Sequence, residues 1–110
     1  MSTIQEYKEL LKLKGVCLRT LGLSSSSLER ADALSAIESL RKASIPILGG
    51  DVYLKHGNEI ELAYANWHSE SKPNEVRQDF VHRSCLEAEN YIKSFPSLDG
   101  EPLFEVVIDD

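Results

Sequence analysis

The sequence predicts an α+β fold: about three helices packed on a small, largely antiparallel sheet made of a central β-hairpin and a C-terminal strand. Three observations carry this. Two extended runs, 45–56 and 59–64, flank the turn signal Gly57-Asn58. Apolar stripes at helical spacing lie before and after that pair. A β-branched, apolar run at 103–108 suits a buried strand that joins the hairpin.

The chain has 110 residues, and at about 100–200 residues per domain the span 1–110 reads as a single domain. Its 42% hydrophobic and 27% charged residues exclude a disordered or collagen-like chain. Twelve basic residues against eighteen acidic give a net charge of −6, without the basic stripe that neutralises phosphates, so no nucleic acid is expected as the main ligand. The first residues carry Glu6 and Glu9 where a signal peptide needs basic then apolar residues, and no run approaches the ~20 apolar residues of a membrane span. A cytoplasmic protein with no membrane contact is the expectation. Cys17 and Cys85, without C-x-x-C spacing, read as two reduced thiols.

Ile4, Tyr7, Leu10 and Leu11 trace a first helix, with Ser2 or Thr3 as cap and Gly15 as its end. Val16-Cys17-Leu18 reads as a short strand or an extended connector, and Ser24 to Ser27 as a loop entering a helix cap. From Ser27 the stripe Leu28, Ala31, Leu34, Ile37, Leu40 predicts a second helix, which Pro46 stops near Ala43 or Ser44. In the hairpin, a two-residue loop leaves both faces mixed in polarity. A three-residue loop, Gly57-Asn58-Glu59, gathers Val52, Leu54, Ile60, Leu62 and Tyr64 on one face. Asp51, Tyr53, Lys55, Glu61 and Ala63 then share the other, with Lys55 opposite Glu61. The second register is the expected one, with Asp51 and Tyr53 pointing away from the main core. A polar loop follows from Ala65 to Pro73, then a helix along Val76, Phe80, Ser84, Ala88, Tyr91, Ile92 and Phe95 that ends at Pro96.

Several residues invite a chemical reading. The last twelve positions hold Asp99, Glu101, Glu105, Asp109 and Asp110 and no basic residue, either a solvated chain end or an acidic patch that steers a basic partner. His56, His68 and His82 match no metal spacing, so no metal or other cofactor is expected. Ser84 lacks a nucleophile-elbow motif, which disfavours a hydrolase. Gly49-Gly50-Asp51 enters a strand rather than a helix and ends in an acid, so it is not a phosphate loop; it suits a sharp bend or a close backbone approach. Trp67 is either a lid over one end of the sheet or an exposed interface anchor.

Gly49-Gly50-Asp51-Val52-Tyr53, then Asn66-Trp67, then Phe80 and Arg83-Ser84 ahead of Tyr91-Ile92, together resemble the signature of the immunity protein 40 family of bacterial polymorphic toxin systems, over about residues 10–108. The resemblance implies a cytoplasmic antidote, not an enzyme, encoded beside a secreted toxin whose domain it binds and blocks. The acidic balance favours a target with a basic active site, such as a nuclease. Candidate partner-binding residues are Asp51, Tyr53, Lys55 and Glu61 on the outward hairpin face and Trp67, His68 and Glu70 on the following loop. Gly49, Gly50, Arg83 and Ser84 are expected to support the fold, with Arg83 pairing with Asp51 to tie helix to sheet. A generic interaction domain is the competing reading, ahead of a hydrolase built on His82 or His68. A free sheet edge can be capped by a loop or by a second copy, so monomer and homodimer both fit.

Overall fold

The computed structural model describes residues 4–97 and 99–109, which leaves the cap candidates Ser2 and Thr3, and Asp110, outside the described residues. Among the described residues three helices, α1 (Ile4–Lys14), α2 (Arg30–Lys42) and α3 (Arg77–Ser94), accompany five strands. These are β1 (Val16–Cys17), β2 (Ser26–Glu29), β3 (Ile47–His56), β4 (Glu59–His68) and β5 (Glu101–Ile108), with a 3-10 turn at Arg19–Leu21. All pairings are antiparallel, in the order β1-β2-β5-β3-β4. The chain is α+β, as the sequence predicts.

The acidic C-terminal stretch carries the strand β5, central in the sheet between β2 and β3: Leu103 and Phe104 are fully buried and pair with Tyr53 and Val52, while Asp99, Glu101 and Asp109 are exposed. The main core joins one sheet face to the helices through Val52, Phe104, Ile37, Leu40, Val81, Cys85 and Ile92. Each such large side chain, fully buried, contributes roughly 1.5–3 kcal/mol. A second, smaller cluster of Leu18, Tyr53 and Leu103, flanked by Val16, Leu21 and Ile60, sits apart from this core.

The second helix begins later than the serine signal implies. Ser26 and Ser27 pair with Cys17 and Val16, Leu28 and Glu29 pair with Phe104 and Leu103, and the helix starts at Arg30 without a side-chain cap. Long-range pairing overrides the capping preference of serine, and Ser27 is satisfied by donating to the Val16 carbonyl at 3.2 Å. The helix then buries Ala33, Ala36, Ile37 and Leu40, and Ala31 is exposed. It ends as a Schellman motif. Ser44 takes φ 59°, its N–H bonds the Arg41 carbonyl at 3.1 Å, and the Ile45 N–H bonds the Leu40 carbonyl at 3.0 Å. At the other end, the Arg30 guanidinium donates to the Ile92 carbonyl and to that of Lys93 at 3.3 Å, meeting the negative end of the α3 dipole.

The hairpin adopts the other register. Leu54 stands opposite Glu61, Lys55 opposite Ile60 and His56 opposite Glu59 around a two-residue Gly57-Asn58 turn, which overturns the pairing of Lys55 with Glu61. Two features reconcile this register with burial. The segment carrying Leu18 and Leu21 packs against Tyr53, Leu103 and Ile60, so the outward face is itself partly covered. A bulge then inserts Ala63 and Tyr64 between Leu62, opposite Tyr53, and Ala65, opposite Val52, with Tyr64 at φ 56°. Beyond the bulge β4 continues to His68, so Asn66 and Trp67 lie on a strand and not on a loop.

Candidate protein-binding surface

The paired glycines are shaped by the tryptophan across the ladder. Gly50 pairs with Trp67, and a Cβ at Gly50 would lie 2.3 Å from the indole Cη2 and 2.4 Å from the Glu105 carbonyl oxygen. Gly49, at φ 147°, leaves no room either, because a Cβ there would meet the Trp67 carbonyl oxygen at 2.3 Å. The indole lies on the helix side of the sheet and stacks on Tyr91 of α3 at 4.9 Å between centroids. Tyr91 continues to Phe95 at 6.0 Å and Phe95 to Phe104 at 5.8 Å. Trp67 is therefore the lid of the core, on the opposite face from Asp51, and not a partner of it.

Arg83 and Ser84 point different ways from α3. Ser84 is fully buried, accepts the Ile47 N–H at 3.0 Å and donates to the Val81 carbonyl at 3.3 Å, which fastens the start of β3 to the helix. It is not free to act as a nucleophile. The guanidinium of Arg83 forks onto Glu75 at 2.9 and 2.8 Å, reaches Glu87 at 3.2 Å and the Glu70 carbonyl, and lies 5.3 Å over the Phe80 ring. This corrects the expected pair with Asp51, since Arg83 holds the loop between β4 and α3 instead. The carboxyl of Glu75 is drawn down to about 2, first by Arg83 and then by the Lys72 N–H. The arginine is pushed up correspondingly. Ser69 completes the clamp, its hydroxyl donating to Glu87 at 2.6 Å and its N–H to the Leu48 carbonyl at 2.9 Å.

On the other sheet face the ladder sets Asp51 between Asn66 on β4 and Glu105 on β5. Tyr53 is only 4% exposed, and its hydroxyl donates to Glu105 at 2.9 Å. Burial, then the Glu105 bond, push the phenol above its ordinary range. Tyr53 is thus a positioning residue, not a protruding anchor. Two adjoining depressions share Asp51 and Asn66. One is lined by Gly49, Gly50, His68 and Val107; the other, by Tyr53, Leu62, Tyr64 and Ala65. The first holds about 370 Å³ and the second about 210 Å³, at or below the low end of the roughly 300–1,000 Å³ of small-molecule sites. At their edges Tyr64 is 89% exposed, with Leu62 at 47% and Val107 at 44%.

The structure thus brings Asp51, Tyr53, Lys55 and His68 to one face, with Lys55 at its hairpin end, and separates the other candidates from it. Glu61 lies on the opposite face and pairs with His56 at the tip at 2.8 Å. Glu70 sits on the clamped loop, 2.9 Å from His68. Sequence reasoning missed Tyr64, Leu62 and Glu105 on this face. Alternation in the expected register assigned Tyr64 and Leu62 to the core, whereas the two-residue register places both on the outer face. Among the described residues no group of three or more His, Cys, Asp or Glu is placed to hold a metal ion, and no helix is long and apolar enough to cross a membrane.

No curated protein and no solved structure matches the chain at a significant level. The sequence model of one family, described as immunity protein 40, matches residues 17–108, which include all of α2, α3 and β2 to β5. Because that match covers most of the chain, including the Gly49-Gly50, Trp67 and Ser84 positions whose packing holds helix to sheet, the protein belongs to the immunity protein 40 family.

Proposed function

We propose that this protein is the antidote of a toxin system, binding the toxic domain of a cognate secreted protein in the cytoplasm of the producing cell and covering its active region. The family match over residues 17–108 carries this reading. The chain's own chemistry supports a binding role. Its one hydroxyl with a sequence argument for catalysis, Ser84, is consumed in holding β3, whereas aromatic and carboxylate side chains stand exposed on an ordered sheet face. Inhibition then needs no chemical step by the antidote, only an interface tight enough to keep free toxin negligible, and protein pairs reach Kd of about 10⁻¹³ M or below. The net charge of −6 suits a toxin with a basic groove, as a nuclease has, and speeds encounter with it.

The test is co-expression of the full chain with the C-terminal domain of the secreted protein encoded beside it. Growth restored together with co-purification of the two proteins is the expected result. Continued toxicity with no complex at matched expression would discard the antidote reading in favour of a generic interaction domain.

A further inference from the structure

Tyr64 presents an energetic contradiction. A bulky side chain in the left-handed region is unfavourable, and such a conformation persists where the surrounding structure imposes it. Inside a core the cost is offset by burial. Tyr64 is 89% exposed, and its side chain makes no hydrogen bond or ring contact among the described residues. The bulge that imposes φ 56° therefore costs stability, and it sits where the two-residue register already places the aromatic ring on the outer face. It also interrupts the ladder along the free edge of β4, which makes strand addition there a poor mode of binding.

A second conflict lies beside the first. Asp51 and Glu105 are directly opposite across β3 and β5, where side chains have Cβ atoms about 4.5–5.5 Å apart and like charges repel. Neither forms an ion pair among the described residues. The Tyr53 hydroxyl holds Glu105 in place, and the other ladder neighbour of Asp51 is the neutral Asn66. The nearest lysine in the ladder stands away from the pair, Lys55 four residues along β3. This face thus combines two unneutralised carboxylates with the exposed apolar surface of Leu62, Tyr64 and Val107.

Resting on the antidote reading, we infer that this sheet face is the toxin-docking surface and that its occupant is a basic segment of the toxin, with an arginine or lysine seated between Asp51 and Glu105 and its stem packed against Tyr64. A cation placed there converts the repulsion of the free chain into two charge-assisted hydrogen bonds. The planar fork of arginine fits two neighbouring carboxylates and stacks on an aromatic ring, which favours it over lysine.

The experiment is calorimetric titration of the full chain with the catalytically inactivated toxin domain encoded beside it, together with thermal unfolding of every variant. Tyr64→Gly separates binding from folding, because glycine relieves φ 56° and leaves Tm unchanged or raised. Its affinity should fall by about thirtyfold or more, the size of a hot-spot truncation. Asp51→Asn should also weaken the complex and flatten its dependence on salt between about 0.05 and 0.5 M. A folded Tyr64→Gly chain that binds within about twofold of the parent would overturn the docking surface while leaving the antidote reading intact. An Asp51→Asn complex with the parent's salt dependence would overturn the cation. Absence of any complex with the parent chain would overturn the antidote reading and this one with it.

Discussion

Gly50 and Trp67 face each other across the β3–β4 ladder, and the indole fills the space that any side chain at position 50 would need. Gly50→Ala should therefore destabilise the protein by about 1–3 kcal/mol through overpacking, since one of the two clashes is with the backbone carbonyl of Glu105 and cannot be relieved by a rotamer change. Trp67→Ala should cost about 2–4 kcal/mol by emptying the stack on Tyr91. Because the two effects share one space, the double variant should lose less than their sum. Urea unfolding of the four proteins measures this coupling, and strict additivity would refute it.

Ser84 and Ile47 form the buried link between α3 and β3. Ser84→Ala removes the acceptor and strands a buried N–H, at an expected cost of about 1–3 kcal/mol. The midpoint in urea should fall without a change in slope. Hydrogen exchange at the Ile47 amide should accelerate relative to the centre of β3.

Ser44 ends α2 in the left-handed conformation that glycine adopts without steric cost. Ser44→Gly keeps both backbone bonds of the motif and should stabilise the protein by about 0.5–1 kcal/mol, the relief of strain exceeding the added freedom of the unfolded chain. A lower Tm for the variant would show that the serine side chain contributes something its position does not reveal.

Glu75 titrates at about 2 in the folded chain against an ordinary value of 4.5, because Arg83 and the Lys72 N–H hold its charged form. With the folded value depressed, this contribution to stability is present above pH 4.5 and is lost as pH falls through about 2. Carboxyl chemical shifts should place Glu75 among the last acids to protonate. In Arg83→Met the Glu75 midpoint should rise toward 4.5, and the acid limb of the stability profile should flatten across that interval. An unmoved midpoint would mean that the loop, not the guanidinium, sets the value.

Much of the architecture is legible in short stretches of sequence. The stripes of α1 and α3, the stop before Pro46, the Gly57-Asn58 turn and the buried run in β5 follow from periodicity and turn chemistry, which depend on neighbours a few residues away. The family resemblance is legible too, because its motif residues are those whose packing permits little variation: a glycine under a tryptophan, a serine bonded to a strand.

Other features depend on partners far along the chain. Ser26 and Ser27 become a strand only because β1 and β5 offer ladders to their segment, and Arg83 turns from the expected Asp51 to Glu75 because the loop after β4 folds back along α3. The hairpin register shows the division most sharply. Alternation by itself favours the register with one clean apolar face, yet the segment around Leu18 covers part of the second face and lets a mixed register stand. That register, with its bulge, leaves Tyr64 in solvent and places Asp51 across from Glu105. By itself the sequence determined the three helices, the hairpin, the C-terminal strand and the family. Only the tertiary structure decided which side chains face outward together, because that choice is set by the balance of burial on both sheet faces, and no local pattern encodes it.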